Sequence, residues 1–382
     1  MQYTEYELGE LLPFEQPTAY IVKSTDYCDA YATPVLTAGK SFILGKTNET
    51  DGIFDQLPVI IFDDFTTATQ FVNFRFKVKS SAMKILHINT DLVIPKYIFY
   101  RLQIIQFDHS THKRYWIQSY SKIKVSIPSL DEQSRIVSRI DELFSELDKA
   151  VDTFKTTKEQ LAVYRQAVLK SAFENDGEST YLGTLIEKPR YGTSKKCSYN
   201  FNENSTAVIR IPNIDANKGI IDSQDLKYAE FDSKELKQFM LQTGDILIIR
   251  SNGSISLVGA GAMVRDNDTD KIYAGYLMRL RIADYSKLMP QYLLHYLSSP
   301  NARRYIENTA KSTSGVNNIN SQEISKLQIP MVSIKEQARI VAGIEEKLSI
   351  YDKIEGIIVS TFAQTDVMRQ SILKQAFEEG IV

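Results

Sequence analysis

Apolar positions recur in a heptad register along two stretches of the chain. The first runs Ile136, Ile140, Leu143, Leu147, Ala150, Phe154, Leu161, Tyr164 and Val168, and no Gly or Pro interrupts it between Ser129 and Asp176. The second runs Ile340, Ile344, Tyr351, Ile354, Ile358, Met368 and Ile372, with Gly343, Lys347 and Gly356 breaking its regularity. A stripe of this period predicts a long helix with a narrow seam rather than the broad apolar face of a globular helix. Both stretches open on a proline followed by Ser-x-x-Glu (Pro128, Ser129, Glu132; Pro330, Ser333, Glu336), which predicts a capping box. Both close on a glycine suited to a left-handed cap, Gly177 and Gly380. Each helix would be ~65 Å long at ~1.5 Å per residue. Neither can bury its seam alone. They are therefore expected to pair as an antiparallel coiled coil, with Ile136, Ile140, Leu147, Phe154 and Leu161 on one helix and Ile340, Ile344, Tyr351, Ile358 and Ile372 on the other. The same positions are the candidates for docking a partner.

The two stretches are copies. Glu132-Gln133-Ser134-Arg135-Ile136-Val137 falls on Glu336-Gln337-Ala338-Arg339-Ile340-Val341, and the register holds without a gap to the end of the chain. Of the 43 positions from 132 to 174, 20 are identical between copies, so a duplication organises the molecule.

Each helix is preceded by a segment of strand-like and turn-like pattern. Both segments lead in with related residues, Tyr6-Glu7-Leu8-Gly9 and Tyr181-Leu182-Gly183. Both hold a continuous apolar run that predicts a buried strand, Leu57–Phe62 and Gly244–Ile249, and then further strands, Phe71–Val78 and Tyr276–Ile282. Both then carry a helical segment, Ile94–Leu102 against Met289–Leu297. The fold class read from this order is α+β with a pseudo-two-fold internal repeat. Its parts are a mixed domain over 1–128, a long helix over 129–177, a second mixed domain over 178–330 and a second long helix over 331–382.

Composition narrows the class. With 382 residues, 43% of them hydrophobic and 24% charged, the chain can bury cores in two ordinary domains. Two cysteines, Cys28 and Cys197, exclude a disulfide scaffold and a cysteine-rich zinc site. No long uncharged apolar run occurs and the opening residues do not form a signal peptide, so a cytoplasmic protein without a membrane span is expected. The net charge of −2 conceals segregation: residues 1–70 hold 3 basic and 11 acidic side chains, a net of −8, while residues 71–124 hold 10 and 2, a net of +8. A chain so divided can offer one surface to an anion and stay soluble with the rest.

No catalytic constellation is present. The stretch ending Gly39-Lys40-Ser41 lacks the first glycine of a phosphate loop, which leaves Lys40 as a candidate phosphate contact only. His109 and His112 have neither Cys nor an acidic cluster beside them for a metal. Asp63-Asp64, at a strand end, reads as a turn cap before Thr66-Thr67. Binding residues are better represented. In the first domain Arg75, Lys77 and Lys79 are expected on one face of a strand near Lys84, and Lys113, Arg114 and Tyr115 join charge to an aromatic ring. In the second, Tyr191, Lys195 and Lys196 form a basic loop, and Arg250, Ser251 and Asn252 leave a buried strand as a polar turn able to make bidentate contacts to bases. Ser314 and Asn318 belong to a further polar loop just ahead of the second helix.

Domain, long Glu-Gln-x-Arg-Ile-Val helix, domain, long helix resembles the specificity subunit of type I restriction–modification systems over the whole chain. The most specific part is the pair Ile127-Pro128 … Glu132-Gln133-x-Arg135-Ile136-Val137 and Ile329-Pro330 … Glu336-Gln337-x-Arg339-Ile340-Val341, with Gly244-Asp245-Ile246-Leu247 and Arg250–Ser254 similar to the family's second domain. The resemblance implies two target-recognition domains that each read half of a split sequence in double-stranded DNA, and helices that space them and dock two methyltransferase subunits. Those partners would bind S-adenosylmethionine, this chain binding no cofactor or metal, and motor-nuclease subunits would join through the complex. The chain itself would not be an enzyme. A rigid spacer suits half-sites about 34–36 Å apart or somewhat further, and domains of different sequence imply an asymmetric target. Two other readings stay open: a specificity subunit for a fused methyltransferase–nuclease, and a coiled-coil adaptor joining two protein ligands.

Overall fold

The computed structural model describes residues 3–37, 41–109, 114–174, 178–310 and 315–378. It divides into two compact units, Met1–Lys155 with Val359–Val382, and Thr156–Ile358. Each unit contains one globular domain and half of each long helix.

Although the domain sequences have diverged, their topologies coincide. In the first domain an antiparallel sheet has the order Phe14–Glu15, Met83–Leu86, Val59–Asp63, Thr69–Val72; in the second the order is Arg190–Tyr191, Leu277–Leu280, Ile246–Ile249, Gly261–Met263. A three-stranded sheet accompanies each, Ile43–Thr47, Thr33–Leu36, Lys77–Val78 in one and Lys227–Glu230, Ser205–Ile209, Ile272–Tyr273 in the other. Each has one antiparallel and one parallel pairing. The buried runs seen in the sequence are the central strands of the larger sheets, and they are apolar throughout because both faces are covered. Ile60 and Phe62 face a core shared with the long helices while Val59 and Ile61 face a second core inside the domain. Ile246 and Ile248, against Leu247 and Ile249, repeat the arrangement. Asp245 beside that strand is buried and holds Arg281 through two bonds of 2.7 Å, which explains an acidic residue next to an apolar run.

The lead-in segments are equivalent too. Thr4–Glu7 pairs with Lys124–Ile127, and Ser179–Tyr181 with Gln328–Pro330. Leu8 N–H donates to Ile123 O at 2.9 Å and Leu182 N–H to Leu327 O at 2.8 Å. A Cβ on Gly9 would lie 3.3 Å from Ser121 Cβ, and one on Gly183 2.8 Å from Ser325 Cβ, so the glycine common to both lead-ins is set by close approach.

The long helices span Leu130–Phe173 and Ile334–Glu378 and pair antiparallel. In the first unit Phe154 meets Phe362 edge-on at 6.5 Å and Arg369 is ion-paired with Asp148. In the second the Arg165 guanidinium lies 5.8 Å from the Tyr351 ring centroid. Ile136 and Ile140 pack with Leu373 and Ala376 into the first domain's core, and Val168, Leu169 and Phe173 pack with Ile344 and Leu348 into the second's. Leu161 and Ile358 are buried, and Leu147, Phe154, Ile340, Tyr351 and Ile372 are half-buried. Tyr164, Ile354 and Met368, expected in the seam, are exposed instead.

Two local expectations are corrected. The strand expected over Phe71–Val78 is broken: Thr69–Val72 belongs to the larger sheet and Lys77–Val78 to the smaller. Ser333 does cap its helix, accepting from Glu336 N–H at 3.3 Å, but the carboxylates of Glu132 and Glu336 turn to Arg135 and Arg339 rather than back to close a box. The conspicuous side chain of the repeated start is the glutamine. Gln133 is fully buried, accepts from Ile94 N–H at 2.8 Å and donates to Leu92 O and Pro128 O; Gln337 accepts from Met289 N–H at 2.9 Å and donates to Lys287 O and Val332 O. Each ties its long helix to the segment that opens a domain helix, Pro95–Leu102 or Pro290–Leu297. Gly177 and Gly380 lie outside the described residues.

Candidate nucleic-acid interface

The second domain opens a cleft of about 590 Å³ at the ends of its two sheets. Arg250, at the end of the strand Ile246–Ile249, projects over the Tyr191 ring with its guanidinium carbon 4.2 Å from the centroid. A weak 3.4 Å bond to Gly275 O steadies its Nη1, while its Nε is buried with no partner among the described residues. The side chain is thus held on an aromatic platform with donors to spare, the condition for a bidentate contact to a base. Ser251 and Asn252 pair with Asn318 and Asn317 as a short ladder, and Asn317 Nδ2 donates to Gly253 O at 3.0 Å. The Tyr191 hydroxyl accepts from Ser321 N–H at 3.0 Å. The polar turn foreseen at 250–252 and the loop at 317–321 therefore close one structure across the sequence.

The cleft is cationic. Arg210, Lys227, Lys195 and Arg250 line it, with no carboxylate in the lining. Lys195 is partly committed, paired with Glu235 at 2.9 Å, and this bond holds the Glu235 carboxyl below the usual range. Lys227 Nζ lies 4.7 Å from the Tyr199 ring centroid. Lys196 is exposed beside this group. Tyr276 and Tyr199 expose most of their rings, 64% and 62%. Cations interleaved with open aromatic faces suit phosphates at the rim and base edges at the centre.

The first domain is arranged differently. Lys77 is not a surface cation: it is fully buried, paired with Glu49 at 3.1 Å and donating to Asp51 O at 2.6 Å, because its strand belongs to the smaller sheet and turns the side chain inward. Lys84 is buried likewise, 3.2 Å from Asp64. Tyr115 is also buried, its ring edge-on to Phe107 at 5.0 Å, since Asp64 O and Oδ1 bind the N–H groups of Tyr115 and Trp116 and draw that turn into the core. Arg75, Lys79 and Arg114 are exposed and hold no carboxylate among the described residues. Lys40, Lys113 and Ser314 lie outside the described residues.

Where the second domain places Arg250–Asn252, the first places the turn after Val59–Asp63. Asp63 Oδ1 accepts from Phe65 N–H at 2.8 Å and Thr66 N–H at 3.3 Å, the turn cap expected of it. Thr67 has φ 58°, a conformation unfavourable for a β-branched residue, and His109 Nε2 lies 2.9 Å from its hydroxyl and 3.0 Å from Thr66 O. Phe65 beside it is 47% exposed. The turn and Arg114 form the first domain's candidate reading edge. Phe65, Thr67, Arg210, Lys227 and Tyr276 were not singled out from the sequence, because nothing local marks an isolated residue whose role depends on a distant neighbour. No group of His, Cys, Asp and Glu able to hold a metal occurs among the described residues.

The model of the type I restriction–modification DNA specificity domain matches residues 2–156 and again 176–357, one match per copy. The chain belongs to this family. It is 34% identical over 385 residues to the EcoR124I/EcoR124II specificity subunit of Escherichia coli, covering 95% of this chain and 90% of the relative. It is 30% identical to the EcoKI specificity subunit of Escherichia coli K12 over 68% of this chain and 58% of that one, so the second likeness spans little more than half of its relative. In fold it is similar to a chain from a solved type I restriction–modification assembly (TM-score 0.71, 18% identity, 99% and 98% covered). The HsdS subunit from Thermoanaerobacter tengcongensis is another neighbour (TM-score 0.58, 17% identity, 99% and 97% covered). Specificity-family membership accounts for both the duplicated helices and the divergence of the domains between them.

Proposed function

We propose that this chain is the DNA-reading subunit of a type I restriction–modification complex, in which its two domains each recognise one half of an asymmetric, interrupted target. The observation that carries this reading is a contrast between the two parts of the duplication. The domains share a topology but differ at the edge of the candidate reading residues, Arg250, Ser251 and Asn252 in one and Phe65, Thr66 and Thr67 in the other. The helices keep one exposed stripe, while other exposed positions change, such as Glu146/Ile350, Asp152/Gly356 and Lys155/Val359. Residues at one heptad position, Arg135, Glu142, Lys149, Val163 and Lys170, recur unchanged as Arg339, Glu346, Lys353, Val367 and Lys374, and all ten are exposed. Val163 and Val367 expose 70% and 68% of their surface. Exposed residues have no packing reason to stay identical, least of all valines. Within the seam, Leu143, Leu147 and Leu161 have become Lys347, Tyr351 and Thr365. A surface retained twice beside domains that diverge fits one partner bound twice and two targets bound once each.

The partner is then a pair of identical methyltransferase subunits, which would hold S-adenosylmethionine and modify adenine, with motor-nuclease subunits joining through them. The chain contributes recognition and spacing, not chemistry. No described helix is long and apolar enough to cross a membrane. Co-expression with the methyltransferase encoded beside it, followed by single-molecule mapping of modified adenines, tests the reading. A split motif with a fixed gap, lost on deletion of this chain, is expected; methylation unchanged by the deletion refutes it.

A further inference from the structure

Each unit has a groove between its domain helix and the paired long helices, and the duplication allows the two grooves to be compared residue by residue. In the first unit Asp141 binds Lys96 at 2.7 Å and the Tyr100 hydroxyl at 2.6 Å, while Asp148 is ion-paired with Arg369, whose guanidinium lies 4.9 Å from the Phe144 ring centroid. Asp152, the third acid of this groove, is paired with Lys155 at 3.0 Å, so all three are neutralised from within the chain. In the second unit the same places hold Glu345 for Asp141, Asp352 for Asp148, Arg165 for Arg369, Gln291 for Lys96 and His295 for Tyr100. Ser, Asp, Lys and Arg recur at four of these lining positions (Ser145/Ser349, Asp148/Asp352, Lys149/Lys353, Arg369/Arg165), yet the internal pairing does not recur.

The ammonium of Lys96 is replaced by an amide, and His295 stands 3.9 Å from Glu345 without serving as a cation: burial, aided by the charge of Arg165, pushes its pKa down to about 4. Arg165, Arg265 and Lys353 hold no carboxylate among the described residues. The result is a cavity of about 600 Å³ in which Arg165, Arg265 and Lys353, with Lys218 paired to Asp215 at 3.6 Å, face Glu345 and Asp352 between apolar walls at Leu294 and Leu348. A cavity of this size and lining suits a short chain segment. It is too small for a duplex, and Glu345 and Asp352 disfavour phosphate. Its net positive charge selects acidic side chains.

We propose that the second-unit groove is a seat for an acidic segment of the methyltransferase partner, and that the first-unit groove, a cavity of about 510 Å³, is the same seat with its charges already paired by Lys96, Tyr100 and Arg369. This rests on the function proposed above and adds where the two copies of the partner meet different chemistry. The residues retained in both grooves preserve the seat's frame, and those that differ determine whether its charges are paired within the chain.

The test uses the full chain and the methyltransferase encoded beside it, titrated by calorimetry with stoichiometry read by native mass spectrometry. Arg265→Glu reverses an exposed charge of the second-unit groove that lies outside the repeated helix surface, and should weaken one of the two binding events roughly tenfold or more, leaving the other unchanged. Gln291→Lys with His295→Tyr installs the first groove's own residues, so it is compatible with folding, and should weaken the same event. Thermal melts establish that each variant is folded. Two unaltered binding events in both variants overturn the proposal, as does a loss confined to affinity for random duplex DNA. Failure of the unaltered chain to bind any methyltransferase would refute the underlying functional reading instead.

Discussion

Arg250, the proposed recognition residue, is held in place in the absence of a ligand. The Tyr191 ring supports one face of the guanidinium at 4.2 Å, and the Tyr191 hydroxyl is itself held by Ser321 N–H. Less side-chain freedom is then lost on binding than a free arginine would lose. Arg250→Ala should relax discrimination at one base position in one half-site, at ~1–3 kcal/mol, with the other half-site unchanged. Methylation motifs mapped for the variant check this, and uniform weakening across sequences would show a phosphate contact instead. His295 offers a test of burial. Its imidazole takes up a proton near pH 6.5 when unfolded but only near 4 in the fold, so the unfolded state binds more protons between those values. The stability linked to it is complete above pH 6.5 and declines as the pH falls toward 4, by on the order of 3 kcal/mol in all. His295→Gln should flatten the fall in urea midpoint of the second unit between pH 7 and pH 5; an unchanged slope would place the acid sensitivity elsewhere.

Among the elements, the long helices carry two separable tasks. Gln133 and Gln337 anchor them to the domains, each accepting one backbone N–H and donating to two carbonyls in a buried setting. Gln133→Ala leaves those groups unpaired and should cost about 2–4 kcal/mol, the desolvation of one or two buried polar groups, with Gln337→Ala the same in the other unit. Chemical denaturation of the two variants compares them. The exposed valines serve no packing role, so Val163→Glu with Val367→Glu should change stability by less than about 0.5 kcal/mol. The same double variant should abolish co-purification of the methyltransferase. Retained co-purification would show that the repeated surface is not the docking face.

For the whole molecule, the duplication separates what is shared from what is free to vary. Both domains keep one strand order, one glycine lead-in and one glutamine anchor, so an exchanged domain has its structural attachments ready. Replacing residues 178–330 with the matching domain of another family member should therefore change one half of the methylated motif and leave the other half and the attachment of the methyltransferase intact. Sequencing of modified adenines decides it, and a motif altered in both halves would mean that reading is not divided between the domains.

The long helices, their antiparallel pairing, the duplication and the family could all be read from the sequence, because heptad period and repeated residues are local properties of the chain. The polar exit at Arg250–Asn252 was legible too, as it follows directly from a buried strand, but in place of the expected turn Ser251–Asn252 is a short strand paired with Asn317–Asn318. The repeated sheet order could not be read, since strand pairing joins Thr33–Leu36 to Lys77–Val78 across more than forty intervening residues and leaves little trace in either. Nor could the inward turn of Lys77 and Tyr115: a cation and a phenol look like surface residues until Glu49 and Asp64 are brought beside them. Gln133 and Gln337 appeared only as letters of a repeated motif, and the partners that make them anchors lie some forty to fifty residues earlier. Period and repetition specify which elements exist; burial and partnership, which decide what each polar side chain does, arise only when distant segments meet.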